Sequence, residues 1–304
     1  DDYVKCIQKI YPNTKVDILT HSMGGLLARR YMLDYPGTVN KLITIAAPWL
    51  GAPKAINVLE TGQFDIPPKL IAESTIAKVA QYDPGPQQLL PSPAYFDNLG
   101  GRPFSELGWD IDLSGNNDQF EDYTTYDKFA RMLDQNYPKD APGTRKPGLI
   151  NRDFHNYPGQ DDWRGDHNPS GVRYYHIYGV QSRPTTIGKV VATTTIYCEE
   201  QQGGNRSCTP PSNLFLLNVT QGDGTVPAMS AARCTDWYEE CARDPGLNIQ
   251  GATLVYCANP TGDTAKDDLL KHANLPQNED VLNYVLSILK GIDPPVSDCI
   301  HHTI

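Results

Sequence analysis

The chain has 304 residues, 39% hydrophobic and 9% aromatic, enough to bury a full core as one α/β domain or as a domain with a cap. Its formal charge of -10 excludes the clustered Lys and Arg of a nucleic-acid footprint. No apolar run reaches the ~18 residues that a membrane-spanning helix needs.

In chain order, Asp2 to Ile10 reads as the end of a helix with Val4, Ile7 and Ile10 on one face, and Pro12-Asn13 turn the chain. Val16, Ile18 and Leu19 then form a short buried strand. Gly24-Gly25 open a helix in which Leu26, Leu27, Tyr31 and Met32 recur at helical spacing. Ser22 sits on the corner between strand and helix. A serine pushed into so tight a turn has its hydroxyl exposed at the carboxyl edge of a sheet, which is the setting of a nucleophile elbow. The usual G-x-S-x-G pattern here reads Thr20-His21-Ser22-Met23-Gly24, so threonine replaces the first glycine, while strand before and helix after supply the required context. Pro36-Gly37 stop the helix. Lys41 to Ala47 is a second apolar run, giving a strand-helix-strand unit with parallel neighbours.

From Trp49 to about Ser170 prolines and glycines are scattered throughout, and helices are expected only over Lys69 to Ala80 and Thr125 to Asp134. This stretch reads as an insertion without a sheet. Val172 to Tyr178 and Ala252 to Cys257 resume short runs of β-branched and aromatic residues. Between them Val190 to Tyr197 and Asn213 to Val219 read as an extra hairpin, its arms joined by Cys198 to Pro211. An amphipathic helix over Glu279 to Lys290 precedes a loose tail. The expected organisation is a mostly parallel sheet flanked by helices, with 1–49 as core carrying the elbow, 50–170 as a cap or lid, and 171–304 as core carrying two further loops of the site.

A serine hydroxyl is a poor nucleophile near neutral pH; it needs an imidazole to take its proton and a carboxylate to fix that imidazole's tautomer. On α/β sheets with such an elbow the chain order is Ser, acid, His. That order prunes the seven histidines: His21 lies inside the elbow, His155, His167 and His176 precede any acid loop, and His301-His302 lie on the tail. His272 remains as the base. For the acid, Asp223 stands between Gly222 and Gly224, where a tight backbone can aim its carboxylate back at the active edge, with Asp236 as the alternative. The backbone N–H of Met23 is expected to supply one oxyanion donor. This chemistry calls for no cofactor.

The seven cysteines show no CxxC pair and no zinc-type spacing, and all but Cys6 lie beyond the hairpin's first arm. Cys198, Cys208, Cys234, Cys241, Cys257 and Cys299 are therefore disulfide candidates, with Cys6 left over. Asn205 and Asn218 begin glycosylation sequons, and together these features point to a secreted or lumenal protein of the ER, lysosome or vacuole, or extracellular space. Asp110, Asp112, Ser114, Asp118 and Glu121 fall on the spacing of a calcium loop. The residues before them cannot make the entering helix, so the segment reads as a solvated cap loop and no metal is assigned. Phe154 to His167 is rich in His and Asp but also lacks ligand spacing.

THSMGG (Thr20 to Gly25), AAPWLGAPKA (Ala46 to Ala55), QLLPSP (Gln88 to Pro93), DYTTYDKFARML (Asp122 to Leu133), GVRYYHIYGV (Gly171 to Val180) and GDGTVPAMSAARC (Gly222 to Cys234) together resemble the lecithin:cholesterol acyltransferase family, which includes phospholipid:diacylglycerol acyltransferases and lysosomal phospholipase A2. The resemblance implies an α/β-hydrolase with a lipid-binding cap, with nucleophile, acid and base at Ser22, Asp223 and His272. It implies serine-dependent O-acyl transfer or phospholipase A activity on glycerolipid esters, the lipid being met at a membrane, micelle or lipoprotein surface. It further implies a bridge from Cys234 to Cys198 or Cys208. Trp49 and Leu50, directly after a strand end, are expected beside the acyl pocket. A soluble carboxylesterase and a catalytically silent lipid- or protein-binding protein are the competing functions, the second disfavoured by an intact Ser, Asp, His set. In a full α/β-hydrolase further strands precede the elbow strand, so a preceding segment is expected to complete the sheet, donate the second oxyanion N–H and meet Cys6.

Overall fold

Short β-rich runs separated by helices fold as a parallel sheet because each crossover must return over the sheet face. The computed structural model describes residues 2–63, 71–99, 104–110, 118–122, 125–138, 145–161, 171–196, 198–200, 206–208, 212–232, 253–258 and 267–292. Helix α1 (Asp2–Ile10) leads to β1 (Val16–His21), then α2 (Gly24–Asp34) and β2 (Val39–Ile45). Next come α3 (Lys54–Thr61), α4 (Glu73–Tyr82), α5 (Pro84–Gln88), α6 (Pro93–Leu99), β3 (Phe104–Asp110), β4 (Asp118–Asp122), α7 (Tyr126–Asn136) and α8 (Pro147–His155). The chain continues through β5 (Arg173–Gly179), β6 (Thr186–Ile196), β7 (Cys198–Glu200), β8 (Arg206–Cys208), β9 (Ser212–Thr220), α9 (Ala228–Ala232) and β10 (Thr253–Ala258) to α10 (Glu279–Leu289).

One sheet has the order β1-β2-β5-β10, parallel throughout. β2 and β5 are buried along nearly their whole length, which is why KLITI and RYYHIY are mostly apolar or aromatic without a strict alternation. Successive residues face opposite layers. Leu42 and Tyr174 pack under α2 with Leu26, Met32 and Trp49, whereas Ile43 and Tyr175 pack under α10 with Val281, Val285 and Ile288. A third cluster joins Ile56 and Leu59 of α3 to Phe129 and Leu133 of α7 and Val190 of β6.

The stretch expected to hold no sheet contributes two strands. β3 pairs antiparallel with β4 and parallel with β6, and β6 pairs antiparallel with β9, so a second sheet runs β4-β3-β6-β9. Four helices also lie there beyond the two expected. Three of them, α5, α6 and α8, begin on proline, whose fixed φ and missing N–H suit the first helical position, so prolines read as breakers are helix starts. The calcium-loop spacing falls on this hairpin: Asp110 ends β3, and Asp118 and Glu121 belong to β4 opposite Trp109 and Glu106. Strands thus flank the segment where a calcium loop has helices; Asp112 and Ser114 lie outside the described residues.

Cys6 is free and exposed. Cys198 and Cys208 stand in register across β7 and β8, Cys257 lies in β10, and Asn218 in β9. Cys234, Cys241, Cys299, Asn205, His167 and Asp236 lie outside the described residues. Among those described, no helix is long and apolar enough to cross a membrane.

Candidate active site

β1 ends in the corner that carries Ser22. Its φ of 56° lies in the left-handed region that a residue with a Cβ rarely occupies, so the corner is strained and its neighbours hold it there. Ser22 N–H donates to the carbonyl of Ile45, the last residue of β2, at 2.9 Å, and Gly25 N–H donates back to Ser22 O at 2.9 Å as α2 begins. A Cβ on Gly25 would fall 2.5 Å from Ala47 Cβ, so only glycine lets the helix come so close to the end of β2. Thr20 fits where the usual pattern has glycine because its neighbour across the corner is Gly24, on which a Cβ would stand only 3.3 Å from Thr20 Cβ. Thr20 Oγ1 is buried with no hydrogen-bond partner among the described residues. Met23 is the N-cap of α2, where backbone N–H groups have no partner within the helix.

The loop with Asp223 follows β9. Gly222 and Pro227 close it with an antiparallel bridge, and Gln181 N–H, just beyond β5, donates to Gly222 O at 2.9 Å. The chain thereby returns to the carboxyl end of the parallel sheet after its excursion through the second one. Gly224 takes φ 86° and its N–H donates to Thr186 Oγ1 at 2.8 Å. Asp223 is buried. One carboxylate oxygen accepts from the N–H groups of Thr225 and Val226 at 2.9 and 2.7 Å, and the other accepts from His272 Nδ1 at 2.7 Å. A carboxylate oxygen only accepts, so Nδ1 carries the imidazole proton. Nε2 is left as a lone pair, and the Ser22 hydroxyl donates to it at 2.7 Å. His272 lies between the 3-10 turns Asp267–Leu270 and Leu275–Gln277, and its own N–H donates to Asp223 O at 2.9 Å.

The structure thus brings Ser22, His272 and Asp223 into one hydrogen-bonded row. Two further side chains join it that sequence reasoning left aside. His21 Nε2 donates to His272 O at 2.8 Å, and the two rings lie 4.7 Å apart. Burial, then the neighbouring His272, lowers the pKa of His21 against opposing effects of that hydrogen bond and of Asp223. Lys54, buried at the start of α3, donates to Thr225 Oγ1 at 3.1 Å and so holds the loop of Asp223 from the opposite side. It lies within AAPWLGAPKA, yet nothing in that string marks the lysine.

Trp49 and Leu50, expected beside an acyl pocket, are buried at 2% and 1% exposure. Trp49 stacks at 4.9 Å on His176 beneath α2, and Leu50 N–H donates to Ser230 Oγ at 3.0 Å. Among the described residues no three His, Cys, Asp or Glu side chains gather as a metal site. In the His- and Asp-rich segment, His155 uses both ring nitrogens in hydrogen bonds, Nδ1 with Asp161 at 2.8 Å and Nε2 with Gln88 O at 3.0 Å.

Residues 4–141 match the family model described as lecithin:cholesterol acyltransferase. Over 245 residues the chain is 30% identical to phospholipase A(1) LCAT3 of Arabidopsis thaliana, covering 72% of this chain and 50% of that protein. The chain therefore spans half the length of the curated relative it matches. Among solved structures it superposes on a chain of the Tle4-Tli4 complex with a TM-score of 0.52 at 16% identity, over 96% of this chain and 64% of the other. With its parallel sheet, flanking helices and elbow, the fold is that of an α/β-hydrolase.

Proposed function

We propose that this chain, which belongs to the lecithin:cholesterol acyltransferase-like family, transfers the acyl group of a glycerolipid ester through an acyl-serine at Ser22. The observation that carries the reading is the pair of 2.7 Å hydrogen bonds, Ser22 to His272 and His272 to Asp223, ending on a serine held at a strained φ. Ser22 Oγ attacks the ester carbonyl carbon while His272 Nε2 takes its proton, and Asp223 stabilises the imidazolium through Nδ1–H. The oxygen that gains negative charge is met by the N–H of Met23 at the start of α2. Collapse of the tetrahedral adduct breaks the ester C–O bond, and His272 returns the proton to the leaving lysolipid alcohol. A second acceptor, deprotonated by His272, then attacks the acyl-serine; water yields a fatty acid and an alcohol yields a new ester.

The name of the Arabidopsis relative, a phospholipase A(1), supports a phospholipid donor with water as acceptor. In this reading residues 50–170 form the lid over the lipid, and Trp49 and Leu50 form the floor beneath the nucleophile. The cysteines and the sequons at Asn205 and Asn218 support a secreted or lumenal setting, where the lipid is met at a membrane, micelle or lipoprotein surface. A fluorophosphonate probe is the test. Ser22→Ala is expected to abolish labelling while the circular dichroism spectrum is unchanged, and labelling that survives the substitution would sink the assignment. Phosphatidylcholine micelles with and without a sterol or diacylglycerol then separate transfer from hydrolysis by the product formed.

A further inference from the structure

We infer that His21 is a positioning residue for His272, holding the backbone carbonyl of the base so that its ring meets the Ser22 hydroxyl. The inference rests on the acyl-transfer reading of this site. His272 stands in a non-repeating loop, so few main-chain bonds fix it. Its N–H and its Nδ1 both bond to Asp223, at 2.9 and 2.7 Å, which ties one side of the residue to one loop. A residue held only there can still pivot about Asp223. The His21 bond of 2.8 Å grips the residue's carbonyl, on the next peptide unit, and comes from the residue next to Ser22. One short piece of strand therefore aims both partners of the proton transfer: residue 22 carries the hydroxyl and residue 21 anchors the imidazole that receives its proton.

The chemistry of the contact fixes the form of His21. A carbonyl only accepts, so the His21 proton sits on Nε2. A second positive charge 4.7 Å from the His272 ring would oppose the imidazolium that forms during reaction, and partial burial favours the neutral ring. Glutamine can present an N–H where Nε2 stood. Asparagine, one carbon shorter, presents its N–H where Nδ1 stood and cannot span the gap.

The test compares His21→Asn and His21→Gln with the parent chain on phosphatidylcholine micelles and by the rate of fluorophosphonate labelling. Misplacing a catalytic group by about an ångström lowers rates by about 10²-fold, so His21→Asn is expected to lose about 10- to 100-fold in kcat and in labelling rate while KM stays within about twofold. His21→Gln is expected to recover most of the loss, which a ring needed only for packing would not do. Asparagine at the parent rate, or asparagine and glutamine equally impaired in folded protein, overturns the inference. If His21→Asn fails to fold, His21→Gln decides alone: near-parental kcat supports the inference and a folded, slow variant overturns it. Ser22→Ala runs alongside, because labelling that survives there overturns the acyl-transfer reading itself, whereas its loss beside an unimpaired His21→Asn overturns only the role of His21.

Discussion

Ser22, His272 and Asp223 sit respectively at a strained corner, between two 3-10 turns and in a loop closed by an antiparallel bridge. Ser22 was legible because a strand, a sharp turn and a small-residue helix start are written in consecutive residues. Asp223 and His272 followed from chain order and flanking glycines. His21 and Lys54 were not legible, because their hydrogen bonds join residues 251 and 171 positions apart and no local pattern encodes them. Trp49 packs under α2, and the strand end before it does not by itself distinguish a core position from the floor of a pocket. At this scale His272→Ala is the sharp probe: turnover is expected to fall by about 10⁴-fold, as for loss of a Ser-His-Asp member, with little change in KM. Steady-state kinetics on the folded variant measures it, and retention of most activity would move the base to another group.

Among the elements, the elbow helix has no room for a side chain at its start. Gly25→Ala places a methyl 2.5 Å from Ala47 Cβ, at a contact made of backbone-attached atoms that cannot swing away. Overpacking of this kind costs about 1–3 kcal/mol, so the urea midpoint is expected to fall and the labelling rate of Ser22 with it. The strands β2 and β5 were legible from their apolar runs, since burial on both faces leaves no alternation to misread. Within residues 50–170 only α4 and α7 were. Three other helices there, α5, α6 and α8, start on prolines, and α5, at five residues, is too short to show a period.

The end of α8 holds a buried titratable pair. His155 is buried with both nitrogens facing acceptors, Asp161 and Gln88 O, an arrangement that the doubly protonated ring satisfies in full. Burial by itself would lower its pKa, but the Asp161 carboxylate and the two hydrogen bonds outweigh burial and leave it raised. A pKa raised on folding contributes stability that is fully present below the unfolded value, about 6.5, and is lost as pH rises through the folded value. Thermal unfolding of the parent is therefore expected to lose stability from this group above about pH 6.5, and His155→Gln is expected to flatten that slope. Breaking the buried pair is also expected to destabilise by about 3 kcal/mol at acid pH. An identical pH slope in parent and variant would refute the assignment.

Taken whole, the molecule gathers the site from three carboxyl ends of one sheet: Ser22 after β1, the Asp223 loop beside the end of β5, and His272 beyond β10. That is where ligands of open α/β sheets bind. The strand neighbours β1 and β2 were legible from a single crossover helix. In the second sheet the antiparallel pair β6 and β9 was legible as a hairpin, but β3 and β4 were not, because β3 and β6 pair across 86 positions, Phe104 with Val190 and Asp110 with Ile196, only through tertiary contact, and local sequence does not carry such register.

The proposed mechanism places an acyl-enzyme on Ser22. Its most direct measurement is to mix the protein with phosphatidylcholine micelles, quench in acid during turnover, digest, and weigh the peptide that contains Ser22. A mass increase equal to one acyl chain, located on Ser22 and missing from Ser22→Ala, is the result predicted. Turnover of the lipid with an unmodified Ser22 peptide, or by Ser22→Ala itself, would contradict an acyl-serine intermediate.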